Sequence, residues 1–313
     1  VTARELRDSV VVVTGATSGV GRATAHALAE RGCRLALVAR DHAGLAAVAE
    51  ECAARGAEAI AVPTDIAFAI QVDRLVTTVV ERFGRIDTWI EAAAVLAAGV
   101  LGDEPTEELE RLVDTNVLGT LLCSRAALRQ FREQGHGVLI NVSSLLGVLP
   151  NPLVPAYVMS KFAVRGLSLS LHHLTRQWPG IRVCVILPGP IDTPMFERAA
   201  NHTGHVIRAI PPALAPERVA AAIVRCARRP RRQVIVGAAG RAISVAHRVA
   251  PAATERLVAI AVASLLLRPE ELDGTPGGLF AVTSPAQLHG PWRRVGLRRR
   301  AGEAWGRWGS RRA

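Results

Sequence analysis

The sequence holds one tyrosine, Tyr157, and one lysine, Lys161, four residues apart. All other Lys-or-Arg positions are arginine, a bias under which a lysine persists where arginine cannot serve. On a helix, residues four apart share a face. A phenol beside an ammonium has a depressed pKa, because the cation favours the phenolate. Such a pair makes a general acid or base near neutral pH from a group that otherwise titrates at about 10. The plain alternative is a Tyr and a Lys on an ordinary helix surface, and the elements around them decide.

The first of those elements is a β-branched run at 9–14, which reads as a buried strand. It leads directly into Thr14-Gly15-Ala16-Thr17-Ser18-Gly19-Val20-Gly21, followed by a helical pattern through Glu30 that stops at Gly32. A strand, a glycine-rich turn and a helix N-terminus make an anion site, where amide N–H groups and the helix dipole face a pyrophosphate. Thr14, Gly15, Ser18, Gly19, Val20 and Gly21 are therefore candidate cofactor-binding residues. A second strand at 34–39 ends in Arg40, about 20 residues beyond the glycines. In that place a carboxylate binds the ribose 2′-hydroxyl of NAD, and an arginine accommodates the 2′-phosphate of NADP. Arg40 favours NADP(H) and leaves NAD(H) possible.

Further strands are expected at 58–63, closed by Asp65, and at 88–94, 137–142, 182–187 and 233–236, with helices at 43–55, 70–83, 105–134 and 216–228. A helix carrying Tyr157 and Lys161 should run to about Trp178. Asn116 and Gly119 inside the long helix are locally unfavourable and suggest a kink or a close contact. Strands alternating with helices predict an α/β, doubly wound, mostly parallel seven-stranded sheet covered on both faces. Ligands in such folds sit at the strand carboxyl ends. The glycine turn, Arg40, Asp65, Ser144 and Pro188-Gly189 all fall there.

With these motifs in place the sequence resembles the short-chain dehydrogenase/reductase family over about residues 8–237. The resemblance rests on Thr14 to Gly21 as Thr-Gly-x3-Gly-x-Gly and on Tyr157-x3-Lys161. It also rests on Ser144 thirteen residues before the tyrosine, and on Pro188, Gly189 and Thr193 as a Pro-Gly-x3-Thr loop that includes Ile191. It implies an NAD(P)-dependent oxidoreductase in which Ser144, Tyr157, Lys161 and Asn116 are catalytic. Tyr157 would exchange a proton with a carbonyl or alcohol oxygen held by Ser144, and Lys161 would lower the Tyr157 pKa and hold the nicotinamide ribose. Asn116 would hold a relay water, and Asp65 would contact adenine. The family resemblance also implies pairing of subunits through the long helices, about 105–134 and 155–178.

One stretch departs from the family pattern. After the fourth strand, where the family carries Asn-Asn-Ala-Gly, this chain reads Glu91-Ala92-Ala93-Ala94. A buried carboxylate there is costly unless paired or protonated. The rival reading of the function is accordingly a catalytically weakened dinucleotide-binding regulatory protein or a membrane-surface adaptor.

Three segments follow from these patterns: a dinucleotide-binding domain at 1–237, an extension of helix and loop at 238–290, and an Arg/Trp-rich tail at 291–313. Within the first, 194–212 is expected to cover the substrate. Its Met195, Phe196, Val206, Ile207 and Ile210 fit an apolar ketone or secondary alcohol or, equally, simple packing on the body. In the extension, 241–267 is helical in pattern and Pro251 should kink or split it. The last eleven residues are too short to span a bilayer and pack on the body, on a second subunit, or at a membrane interface.

The net charge of +11 sits mostly in the tail, where eight arginines meet only Glu303. Solvated disorder, an anionic membrane surface and nonspecific nucleic-acid binding all suit that composition, and specific nucleic-acid recognition is not expected. Five scattered cysteines without metal spacing read as reduced buried thiols, and 11–13 is too short for a secretory signal. The expected location is cytoplasmic, with peripheral membrane contact as the variant.

Overall fold

The computed structural model describes residues 4–282 and 287–292. The elements alternate as expected: β1 (Val10–Thr14), α1 (Gly19–Ala29), β2 (Arg34–Ala39), α2 (His42–Ala53), β3 (Ala59–Pro63), α3 (Ala69–Phe83) and β4 (Thr88–Glu91). There follow β5 (Ala97–Ala98), α4 (Thr106–Val113), a π-helical turn (Asp114–Gly119), α5 (Thr120–Gln134), β6 (Gly137–Val142), α6 (Pro155–Leu174) and β7 (Ile181–Pro188). The remainder is β8 (Ala200–Asn201), β9 (His205–Ile207), α7 (Pro216–Arg228), β10 (Gln233–Val236), α8 (Ala238–Val249), α9 (Pro251–Leu265) and β11 (Leu267–Glu271).

Seven strands form one sheet in the order β10-β7-β6-β4-β1-β2-β3, parallel at every pairing. All five residues of β1 are buried, because helices cover both faces of a central parallel strand. Val11 and Val13 pack toward one face and Val10 and Val12 toward the other, as the two-residue period of a strand requires. Each such valine contributes on the order of 2 kcal/mol by leaving water. All five cysteines are buried free thiols.

The fourth strand ends at Glu91 rather than continuing to residue 94, because Ala92 and Ala93 turn their N–H groups to the Thr14 hydroxyl instead of a neighbouring strand. The expected helix at 105–134 is interrupted by the π-helical turn around Asn116. Such a bulge swings a side chain out of helical register, and Asn116 uses it to reach the backbone of Val95 at the end of the sheet.

Pro251 divides the extension into α8 and α9, since its ring cannot continue a helix. The chain then forms β11, antiparallel to β9 within the 194–212 segment, a short pairing that the sequence pattern does not announce. On α9, Val262 is buried, as is Leu266 just beyond the helix, whereas Leu257 is 68% exposed. The tail expectation lies outside the described residues beyond Trp292.

Candidate active site

The carboxyl ends of β1, β4 and β6 converge on a cleft of about 420 Å³. Its floor is the turn after β1. Gly15 has φ +65°, and a Cβ there would stand 2.9 Å from Ala93 Cα; a Cβ on Gly21 would stand 2.1 Å from the Gly15 carbonyl oxygen. Only glycine permits this close approach, so a backbone cradle is built against Ala92 and Ala93. Ser18 caps α1 with an extended backbone, so the N-terminal amides of α1 open on the same cleft.

Most of the residues named from sequence line this cleft. Gly15, Ser18, Gly19, Val20, Gly21, Arg40 and Asp65 form one end. Ser144, Tyr157, Lys161, Pro188, Gly189, Ile191 and Thr193 form the other. Thr14 and Asn116 lie one layer behind. The Thr14 Oγ1 accepts Ala92 N–H at 3.0 Å and Ala93 N–H at 3.1 Å, and donates to Glu91 Oε1 at 2.7 Å. The Asn116 side chain accepts Val95 N–H at 2.8 Å and donates to Val95 O and to Ser160 Oγ.

Tyr157 and Lys161 lie on one face of α6, both buried. The ammonium stands 5.4 Å from the centre of the Tyr157 ring and donates to the Val142 carbonyl at 3.2 Å. It meets the ring rather than the hydroxyl. Burial then decides the titration: it pushes the Tyr157 phenol above its usual value, opposite to the depression expected from the lysine. Burial also pushes Lys161 down to about 8, against a raising effect of Glu91. The only polar contact of the Tyr157 hydroxyl among the described residues is Met195 Sδ at 4.0 Å. Ser144 accepts the Leu146 N–H at 3.1 Å, while its neighbour Ser143 donates to the Lys161 carbonyl at 2.8 Å and ties β6 to α6.

The other surprises are carboxylates and a strap. Glu91 is 1% exposed, and burial pushes it up to about 7 in spite of hydrogen bonds that favour its ionised form. Asp65 is paired with Arg111. Residues 275–282 and 287–292 border the mouth of the cleft as a strap: Arg40 donates to the carbonyls of Gly278 and Leu279, both at 2.6 Å. Gly19 N–H donates to Gln287 O at 3.1 Å, and Trp292 donates through its backbone N–H to Asp192 at 2.7 Å and through its indole to Thr193 O at 3.0 Å. Gly278, Ala281 and Val282 therefore join the cleft lining, together with Val258 and Ala261 of α9. No local pattern marks these residues, since the stretch reads only as loop.

The family model described as short chain dehydrogenase matches residues 9–204. The chain belongs to that family. The uncharacterized oxidoreductase YxnA of Bacillus subtilis is 35% identical over 82% of this chain and 72% of that protein. A 3-oxoacyl-[acyl-carrier-protein] reductase of Synechocystis is 33% identical over 74% of this chain and 94% of that protein. Among solved structures, a short-chain dehydrogenase/reductase from Burkholderia phymatum in complex with NAD superposes with a TM-score of 0.73 at 26% identity, covering 80% of this chain and 96% of that one. A metagenomic short-chain oxidoreductase in complex with NADP gives 0.64 at 29% identity, covering 74% and 98%. The protein is thus an NAD(P)-dependent dehydrogenase/reductase with a Rossmann-like sheet.

Proposed function

We propose that this short-chain dehydrogenase uses NADP(H) to interconvert an apolar ketone or aldehyde and its alcohol. The carrying observation is that Ser144 and Tyr157 open on the same cleft as the glycine cradle and Arg40. Most of the remaining wall is apolar, with Leu146, Leu149, Val154, Met195, Phe196 and Ile210 among its members.

The residues fit a nicotinamide dinucleotide. The cradle of Gly15 and Gly21 and the N-terminus of α1 would hold its pyrophosphate, Arg40 the 2′-phosphate, and Lys161 the ribose next to nicotinamide. When bound, the dinucleotide supplies or accepts the hydride. Tyr157 exchanges its proton with the substrate oxygen, giving it in reduction and taking it back in oxidation. Ser144 holds the same oxygen by a hydrogen bond, and its attachment to Leu146 N–H leaves its own proton free to donate. The segment 194–212 and α9 exclude water from the apolar side.

A panel of apolar ketones, aldehydes and alcohols, each run with NADPH or NADP and with NADH or NAD, tests this reading. Turnover of at least one apolar carbonyl with NADPH favoured is expected, and turnover restricted to NADH would overturn the cofactor assignment. Pairing of subunits through α5 and α6 is supported by Leu118, Leu121, Met159 and Phe162, which are apolar and exposed on the turn before α5 and on these helices. A membrane-surface role has a separate support in Val245, Val249, Leu257 and Ile260, exposed on α8 and α9. No helix among the described residues is long and apolar enough to cross a membrane. Flotation with anionic liposomes tests it, and loss of binding in Leu257→Glu is the expected outcome.

A further inference from the structure

Glu91 is a buried ionisable group behind the cleft that the proposed reaction leaves unused, and it stands where the family pattern has a neutral residue. It closes β4 and lies in register with Asn141 on β6. The next residue on β6, Val142, carries the carbonyl that takes the Lys161 ammonium. On the other side Glu91 takes the Thr14 proton.

A hydroxyl has one proton and two lone pairs. Because Glu91 takes the proton of Thr14, both lone pairs are left for the amides of Ala92 and Ala93. Those two residues are the ones against which Gly15 packs. The direction of three hydrogen bonds, and with it the floor of the cradle, is therefore set by one acceptor. Its polar and charged neighbours come from four elements, while Asn141 of β6, beside it in register, turns its amide N–H to Ser124 and Ser168 instead. Thr14 comes from β1, Trp89 from β4 with its indole N–H at 3.5 Å, Cys123 from α5 as a thiol donor, and Lys161 from α6 as a charge.

We propose that Glu91 is a positioning residue, one buried carboxyl that aims Thr14 at the floor of the dinucleotide cradle and supplies the counter-charge of Lys161. The replacement of the family's asparagine thereby couples cofactor site and proton chemistry instead of weakening both. Removal of the carboxylate charge leaves the buried ammonium with the Val142 carbonyl alone against its desolvation, so Lys161 must titrate lower still. Ionisation of Glu91 and retention of the Lys161 proton favour one another.

The single lysine makes this measurable without any substrate. The full chain, labelled with 13Cε-lysine, gives one lysine signal whose chemical shift reports the protonation of Lys161. In Glu91→Gln the midpoint is expected to move down by about one pH unit, and an unmoved midpoint overturns the counter-charge role. The second arm rests on the dinucleotide reading of the cleft and titrates NADPH by its fluorescence, alongside thermal melting. Glu91→Gln keeps an oxygen acceptor for Thr14 and should bind NADPH within about twofold of the parent protein, whereas Glu91→Ala should bind about tenfold more weakly. A variant Glu91→Ala that melts lower yet binds NADPH as the parent does contradicts the positioning role. If Glu91→Ala does not fold, Glu91→Leu, which fills the same space without an acceptor for Thr14, takes its place under the same two outcomes. Failure of the parent protein to bind NADPH strikes the dinucleotide reading and leaves the lysine titration to judge the counter-charge.

Discussion

The guanidinium of Arg40, at the end of β2, donates at 2.6 Å to the carbonyl of Leu279, 239 residues further along the chain. The residue that should distinguish NADP from NAD is thus held in place by the strap that borders the cleft. Charge-assisted bonds of this kind are worth about 1.5–3 kcal/mol each. Arg40→Ala should weaken NADPH binding by at least about tenfold more than NADH binding, read by fluorescence titration. It should also speed amide hydrogen exchange around residues 275–282. Equal losses for the two cofactors would assign Arg40 to the strap alone.

Tyr157→Phe removes the proton and keeps the ring on Lys161. Turnover with NADPH should fall by about 10²- to 10⁴-fold, with NADPH affinity within about threefold of the parent. A Phe variant that turns over normally contradicts the assignment of Tyr157 as proton donor.

Glu91 carries a pH signature in stability. Its carboxyl titrates at about 7 in the fold against a usual 4.5. Between these values the folded state keeps a proton that the unfolded chain has released, so its contribution is full below pH 4.5 and is lost as pH rises through 7. Urea unfolding of the parent and of Glu91→Gln should therefore diverge across that window. The parent should lose roughly 3 kcal/mol relative to the variant. Parallel curves would mean that the carboxyl is ionised in the folded protein throughout.

Phe162 is 43% exposed on α6 beside Met159. If α5 and α6 pair two subunits, Phe162→Glu should convert an oligomer into monomers in light scattering, because a charge placed at an apolar contact is left without its water. A parent protein that is already monomeric removes this interface from the account.

Trp292 donates its indole N–H to the Thr193 carbonyl and packs edge-on against Phe196, with ring centres 6.0 Å apart. Trp292→Phe keeps the packing and loses the donor. A destabilisation of about 1 kcal/mol is expected in urea unfolding, and no change would show that the indole bond carries no stability.

The sheet was legible because its strands are short, mainly apolar runs set between turn residues, as at 34–39 between Gly32 and Asp41 and at 137–142 between Gly135 and Ser143. The location of the cleft was legible for a related reason: Gly15, Ser144 and Tyr157 sit at fixed distances from strand ends, and the chain direction of a parallel sheet puts all those ends together. Three features were not. The direction of the Tyr157 shift depends on where the ammonium sits relative to the hydroxyl, and a spacing of four fixes the helix face but not that approach. Glu91 could be seen as a departure, whereas its partners Thr14 and Cys123 come from elements 77 and 32 residues away. The strap over Arg40 is a loop held through backbone carbonyls, and backbone atoms leave no signature in residue types.

The most direct test of the central claim is a fluorescence titration of the purified full chain with NADPH and, separately, NADH. Saturable binding of NADPH is expected, tighter than that of NADH and weakened in Arg40→Ala. A protein that binds neither dinucleotide contradicts that claim.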